Sequence, residues 1–194
     1  MKTLNDFVDI SGRRLMRMPR RPDRSWLFSD VRVMNFFSCA DNLLTSLDGS
    51  PTEVLNDFYC HENELTSFSG IPKMIGGALI ADTNKITSLA NLFGVRISGG
   101  IDVSNNELRS LEGSPEIVHG TFNCENNQLR NLIGAPAVIY KDFYCSFNLL
   151  TSLEGCPKKV HGNFYCTNNP VRFKPSEIRR ICQVRGRIFV HDHI

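Results

Sequence analysis

The sequence predicts a mainly β solenoid of about seven 21-residue turns, with a parallel sheet on one face and a non-helical convex side. An N-terminal cap and a helix-plus-strand C-terminal cap complete the expectation. Three observations carry it. Asn42, Asn63, Asn84, Asn106, Asn127, Asn148 and Asn169 recur at intervals of 21, 21, 22, 21, 21 and 21 residues. The same letters surround each of them, as in Val118-His-Gly-Thr-Phe122-Asn-Cys124-Glu-Asn-Asn127-Gln-Leu129-Arg-Asn-Leu132-Ile-Gly134-Ala-Pro136. Finally, the 41% hydrophobic content suffices for a continuous core once neighbouring units stack.

Written as V-x-x-x-F-x-C-x-x-N-x-L-x-x-L-x-G-x-P, the unit is a leucine-rich repeat with Cys at the aliphatic position before the Asn. It divides the chain into residues 1–32 as N-terminal cap, 33–173 as leucine-rich-repeat solenoid and 174–194 as C-terminal cap. The raw core at each end of a solenoid must be covered. Phe7, Val8, Ile10 and Trp26, the only tryptophan, supply apolar groups for the first lid.

Within each unit, the alternation F-x-C has the period of a short strand, and one strand per turn is expected. Phe58, Leu79, Ile101, Phe122, Phe143 and Phe164 then point inward beside the Cys column. Each Asn reads as a structural ladder residue, because a side-chain amide donates and accepts hydrogen bonds where buried backbone leaves its strand. Leu44, Leu65, Ile86, Leu108, Leu129, Leu150 and Val171 follow, then Leu47, Phe68, Leu89, Leu111, Leu132 and Leu153, all assigned to the core.

Gly49, Gly70, Gly113, Gly134 and Gly155 each precede a Pro by two residues (Pro51, Pro72, Pro115, Pro136, Pro157). Such punctuation leaves no room for a helix and predicts an extended or turn-like return. One unit departs: Asn91 and Phe93 stand where Gly and Pro belong, a residue is inserted near Arg96, and Gly99-Gly100 follows. A bulge or a change in curvature is expected there. Beyond Pro170, Pro175-Ser176-Glu177 opens a predicted helix with Ile178, Ile181 and Cys182 on one face. Gly186 ends that helix, and Ile188-Phe189-Val190 adds a last strand.

Cys39, Cys60, Cys124, Cys145 and Cys166 share one repeat position, where Ala81 and Val103 also occur. Interchange with Ala and Val marks a small apolar site that a free thiol fills. On parallel strands these side chains lie roughly 4.8 Å apart and point the same way, which is wrongly aimed for a bridge. The total of seven cysteines is odd. Reduced, buried thiols and a cytoplasmic setting follow as expectations, and a serine in the column is expected to lack the partner a hydroxyl needs. No stretch reaches the roughly 18 apolar residues of a membrane span, and Met-Lys-Thr-Leu-Asn-Asp carries no apolar signal core.

Lys and Arg against Asp and Glu give 8 to 4 over residues 1–40, 6 to 14 over 41–157 and 8 to 2 over 158–194. Two basic ends therefore flank an acidic middle. Arg13, Arg14, Arg17, Arg20, Arg21 and Arg24 form a candidate basic patch able to neutralise phosphates, with no aromatic residue interleaved.

Two families resemble this chain. Short leucine-rich-repeat proteins of tailed bacteriophages have repeats like Leu150-Thr-Ser-Leu153-Glu-Gly155-Cys-Pro157-Lys-Lys-Val160-His-Gly162-Asn-Phe164-Tyr-Cys166-Thr-Asn-Asn169. Their ending is similar to Asn169-Pro-Val-Arg-Phe173, then Ser-Glu-Ile-Arg-Arg and Gly186-Arg-Ile-Phe-Val190; the likeness spans roughly residues 33–190. It implies a phage protein in the infected bacterial host cell or in the virion. More distantly, the repeats resemble those of bacterial type III effectors, which also place a Pro four residues after the second Leu. The Leu-Pro pairs of that group are missing, and the chain is too short for its ubiquitin-ligase domain, so that activity is not carried over.

No phosphate loop, nucleophile elbow, GxGxxG or CxxC pair occurs. His191 and His193 near Cys182 are read as a plain tail, and His119 and His161 share a column with Tyr140 and Leu55, so neither pair is assigned catalysis. No cofactor, metal or enzymatic activity is expected. A binding surface is easier to place, because strand residues alternating with core ones face outward. Four residues before each Asn stand Ser38, Tyr59, Ile80, Asp102, Asn123, Tyr144 and Tyr165. Two before it stand Ala40, His61, Asp82, Ser104, Glu125, Ser146 and Thr167. Tyrosines without core duty, edged by acids, match the anchors and rim of a protein interface. The expected partner-binding set is Tyr59, His61, Ile80, Asp82, Asp102, Asn123, Glu125, Tyr144 and Tyr165. The leading expectation is a protein partner, in the phage reading a host protein redirected or blocked. The alternatives are a structural or assembly component of the phage particle, or nucleic-acid association through the basic ends.

Overall fold

The computed structural model describes residues 32–190, and there the chain winds into a parallel solenoid in which each turn contributes two short strands. The first ladder is an eight-stranded parallel sheet of two-residue strands, running from Phe37–Ser38 to Ile188–Phe189. Its register pairs Phe37, Phe58, Leu79, Ile101, Phe122, Phe143, Phe164 and Ile188 in one row. Period-two alternation turns this row inward, and its members from Phe37 to Phe164 are 2% exposed or less. Burial of one such phenylalanine is worth roughly 1.5–3 kcal/mol, and stacking of rung on rung supplies it repeatedly. With Ile188–Phe189 added, the solenoid has eight rungs where the Asn spacing predicts about seven turns.

One strand per turn is the expectation that the structure overturns. The return stretch also pairs, through Val33, Val54, Ile75 and Ile97 in one four-stranded sheet and Val118, Ile139, Val160 and Val184 in another. These β-branched residues are 9% exposed or less, so the V of the template is a second inward-facing strand position. The convex side is non-helical, as predicted, because it is itself a sheet.

Each ladder Asn ties two turns together. Asn127 accepts from the Leu108 amide at 2.9 Å. Its Nδ2 reaches the carbonyls of Val103 (3.0 Å), Cys124 (3.2 Å) and Glu125 (3.1 Å). Asn63, Asn84, Asn106, Asn148 and Asn169 repeat the pattern. The residue before every ladder Asn adopts a left-handed backbone, with φ between 51° and 55° at Asp41, Glu62, Thr83, Asn105, Asn126, Phe147 and Asn168. That local reversal swings the Asn amide back under its own strand. Gly134, at φ 85°, makes the opposite corner, and a Cβ there would run into the backbone of Leu111 and Glu112 one turn earlier.

The irregular unit is resolved differently from its sequence reading. Leu89 starts a 3-10 turn, Ala90–Leu92, and a second turn follows in which the Val95 amide donates to the Leu92 carbonyl at 3.0 Å. Gly94, at φ 82°, fills the role of the repeat glycine, so Leu92-Phe93-Gly94-Val95 copies Leu132-Ile133-Gly134-Ala135. Ala90–Leu92 thus adds three residues before the corner, and the stretch from Gly94 to Ile97 is two residues shorter than that from Gly134 to Ile139, so the net gain of one is spread from Ala90 to Arg96. Its consequence is an interrupted second ladder between Arg96–Ile97 and Ile117–Val118, while the first ladder runs on unbroken.

The C-terminal end also needs correction. The helix spans Pro175–Ile181 and stops well before Gly186, because Gln183–Val184 leaves it to pair with Lys159–Val160. Ile178 is buried and Ile181 is 46% exposed, so the two do not share a buried face. Val171 is likewise exposed, at 39%, since Pro170 ends the template, and Phe173 enters the core in its place. Leu153 is only partly buried. The predicted last strand is present at Ile188–Phe189. The N-terminal lid residues Phe7, Val8, Ile10 and Trp26, and His191 and His193, lie outside the described residues.

All seven cysteines are free, and the five of the column are 2% exposed or less. Their thiols are not partnerless, however. Cys124 Sγ donates to the Tyr144 carbonyl at 3.2 Å, and Cys145 Sγ to the Tyr165 carbonyl at 3.2 Å. The expectation that a serine there would find no acceptor is therefore wrong.

Candidate functional site

The outward row of the first ladder is Ser38, Tyr59, Ile80, Asp102, Asn123, Tyr144, Tyr165 and Phe189, set side by side by the register. All are half-buried. A second row two residues on holds Ala40, His61, Asp82, Glu125 and Thr167, also half-buried. Ser104 and Ser146 belong to the same row but are 6% and 2% exposed, so the outward placement fails for them. Their hydroxyls are used internally: Ser104 Oγ donates to Asp102 Oδ1 at 2.6 Å, and Ser146 Oγ accepts from the Thr167 amide at 3.1 Å.

The face divides into three zones. At its N-terminal end Tyr59 meets Phe36 edge-on at 5.9 Å and His61 at 6.1 Å. His61 Nδ1 is buried there with no hydrogen-bond partner. In the middle, Asn123 bridges the acids, its Nδ2 donating to Asp102 Oδ2 at 3.2 Å while its Oδ1 accepts from the Glu125 amide at 3.1 Å. Burial raises the Glu125 carboxyl above its ordinary value, a hydrogen bond to Ser146 opposes this, and the charge of Asp102 adds to it. Ile80 and Asp82 flank this zone. At the C-terminal end Tyr144, Tyr165 and Phe189 form a continuous slab, with centroids 4.3 and 4.6 Å apart and planes within 5° of parallel.

The tyrosine hydroxyls are held from below. Tyr59 donates to Asp57 Oδ2 at 3.0 Å, and Tyr144 to Asp142 Oδ2 at 3.4 Å, while Asn163 Nδ2 donates to the Tyr165 hydroxyl at 3.3 Å. The same carboxylates cap the next turn: Asp57 Oδ1 accepts the Ala78 amide, and Asp142 Oδ1 the Asn163 amide. Burial lifts the Tyr144 hydroxyl to about 12, with Tyr165 and Asp142 adding to it, and Tyr59 moves in the same direction through burial and then Asp57. Both rings stay neutral donors at neutral pH.

The structure thus brings all nine sequence-assigned residues, Tyr59, His61, Ile80, Asp82, Asp102, Asn123, Glu125, Tyr144 and Tyr165, onto one sheet face. Arg13, Arg14, Arg17, Arg20, Arg21 and Arg24 lie outside the described residues. Sequence reasoning missed Phe36, Phe189 and the anchors Asp57, Asp142 and Asn163. The anchors had a signal, since Asp57-Phe-Tyr59, Asp142-Phe-Tyr144 and Asn163-Phe-Tyr165 repeat a polar group two residues before each outward Tyr.

A second ring column lies beside the other ladder. His119, Tyr140 and His161 stack at 5.2 and 4.8 Å. Burial, Arg185 and Lys159 together lower the pKa of His161. Among the described residues no group of three or more His, Cys, Asp or Glu is placed to hold a metal ion, and no helix is long and apolar enough to cross a membrane. No family model, curated protein or solved structure matches this chain.

Proposed function

We propose that this chain is a non-enzymatic protein-binding solenoid whose partner lies on the outer face of the eight-stranded sheet. The observation that supports this best is the Tyr144–Tyr165–Phe189 slab beside Asp82, Asp102 and Glu125. Stacked rings with anchored hydroxyls are ordered before binding, so the entropy cost of fixing interface side chains is already met. The acids favour a partner surface that carries cations. The resemblance to phage repeats makes a bacterial host protein, redirected or blocked during infection, the proposed partner.

The test is capture from bacterial lysate with the native chain and with the Tyr144→Ala/Tyr165→Ala variant. A stoichiometric partner bound by the first and lost by the second supports the assignment. A partner retained by the folded variant removes it from this face. Mass spectrometry of purified virions separates host binding from a structural role in the particle.

Nucleic-acid binding has a supporting observation of its own. Residues 158–190 hold eight Lys and Arg against Glu177 alone, and the His119–Tyr140–His161 rings stand next to Lys159 and Arg185. Fluorescence anisotropy with a labelled single-stranded oligonucleotide at low and high salt decides it, because phosphate-driven binding falls steeply with salt.

A further inference from the structure

Arg109 and Arg130 stand three residues after the ladder asparagines Asn106 and Asn127, one turn apart on the flank where the chain leaves the first sheet. Thr45, Thr66, Thr87 and Thr151 hold the same place in four other turns, and Arg172 takes it only after Pro170 has ended the template. Arg109 and Arg130 line one cleft of about 310 Å³ together with Gln128 and Leu149. Arg109 Nε donates to Gln128 Oε1 at 3.2 Å, which orients that guanidinium and leaves its terminal nitrogens for another acceptor. Like charges side by side repel, and the solenoid elsewhere sets opposite ones together. Among the described residues the ion pairs are Arg32 with Glu53 at 3.0 Å and Lys85 with Glu64 at 3.1 Å, each across one turn. Arg109 and Arg130 depart from that arrangement, and neither meets a carboxylate.

The apolar wall of the cleft departs from the repeat as well. Leu149 is 46% exposed, in a column where the two preceding turns carry Glu107 and Gln128. Phe147, on the other side of the buried Asn148, is 55% exposed and holds φ 53°. Asn105, Asn126 and Asn168 occupy the equivalent left-handed position, which asparagine tolerates and a bulky ring does not. Burial compensates neither apolar side chain. Two unpaired cations and two exposed apolar groups thus gather on one flank of neighbouring turns.

We propose that this flank is a second binding site, separate from the tyrosine face, and that it takes an acidic peptide segment carrying a bulky apolar side chain next to its carboxylate. A guanidinium fork donates two parallel N–H bonds to a carboxylate, and two forks on adjacent turns receive one acidic side chain between them. The Gln128 amide offers a further donor. Leu149 and Phe147 cover the apolar neighbour, which a bare inorganic anion would leave unused. Asp82, Asp102 and Glu125 disfavour the same segment on the sheet face, so the two sites select opposite charge.

The test is fluorescence anisotropy with a rhodamine-labelled peptide of alternating glutamate and leucine, and with two control peptides in which glutamine replaces glutamate or alanine replaces leucine. The native chain is expected to bind the first peptide, more weakly as salt rises, and each control about tenfold less tightly or worse. Arg109→Thr/Arg130→Thr and Phe147→Asn/Leu149→Gln install residues that the repeat itself uses at those places, so both variants should melt no lower than the native chain. Both should nevertheless lose about tenfold or more in affinity for the peptide. Tyr144→Ala/Tyr165→Ala should bind the peptide as the native chain does, which keeps this site distinguishable from the sheet face. No binding by the native chain, undiminished binding by either flank variant, or a loss confined to the tyrosine variant would overturn the assignment. Displacement of the peptide by an equal concentration of inorganic phosphate would overturn it too, because a site for a bare anion has no use for the apolar wall.

Discussion

Tyr144 and Tyr165 lie face to face, ring centroids 4.3 Å apart and planes 2° from parallel. The sheet register makes them neighbours, and a polar side chain two residues earlier on each strand holds each hydroxyl. Tyr165 is also covered on its other side by Phe189.

Because both its faces are stacked, Tyr165→Ala should cost about 1–2 kcal/mol of stability, and Tyr59→Ala, with edge contacts only, less. Chemical denaturation ranks the two variants. Equal stability of Tyr165→Ala and the native chain would mean that the slab does not form in solution. Loss of partner binding by roughly 1–3 kcal/mol is expected in addition for whichever ring is an interface anchor.

Replacing a ladder asparagine strikes backbone rather than side-chain contacts. Asn127→Ala leaves the Leu108 amide unpaired and removes one of two donors from the carbonyls of Val103, Cys124 and Glu125, which keep Asn106, Asn148 and the Asn105 amide. A loss of about 1–3 kcal/mol follows from the one buried amide left unpaired. Asn127→Asp should be no better at neutral pH, because a carboxylate cannot donate to those carbonyls. Urea midpoints for the two variants provide the check.

Thr83 holds φ 55°, where a β-branched residue is strained and asparagine is tolerated. Thr83→Asn should therefore raise stability by about 0.5–1 kcal/mol, and Asn126→Thr, at φ 51° in the same role, should lower it by a similar amount. Opposite signs at two equivalent positions are the diagnostic result of a melting comparison.

Cys124→Ser should cost only about 1 kcal/mol, close to Cys124→Ala, since the hydroxyl inherits the Tyr144 carbonyl as acceptor. A loss several times larger would show that the thiol acts as an apolar filler and that its hydrogen bond contributes nothing.

The Tyr144 hydroxyl, lifted to about 12 from its ordinary 10.0, gives a stability contribution with a defined sign. Both folded and unfolded chains keep the proton below pH 10, so the contribution is complete there. Between pH 10 and about 12 the unfolded chain loses the proton first, and stability falls. Tyrosinate absorbance followed with pH should show a late step that is missing in Tyr144→Phe.

Much of this protein was determined by its sequence alone. The Asn spacing and the F-x-C alternation were enough to place the inward phenylalanines, the thiol column, the amide ladder and the outward tyrosine row, because a 21-residue repeat forces equivalent residues into equivalent places. The final strand at Ile188–Phe189 was legible from the apolar run Ile188-Phe189-Val190 after Gly186, although it follows Phe164 by 24 residues and so stands outside the repeat.

The rest depended on contacts between turns, which no single repeat encodes. The second ladder at Val54, Ile75 and Val118 forms only when neighbouring return stretches pair, and each of its strands buries a single residue, without the two alternating inward positions that F-x-C supplies to the first ladder. Leu92-Phe93-Gly94 took over the corner at the irregular unit because the buried leucine and the left-handed glycine matter there, not the count of residues between them. Phe189 joined the tyrosine slab only because the chain beyond the helix returns to both ladders. Repetition is a local property written along the chain, whereas closure of its end is decided by which exposed edges remain to be paired.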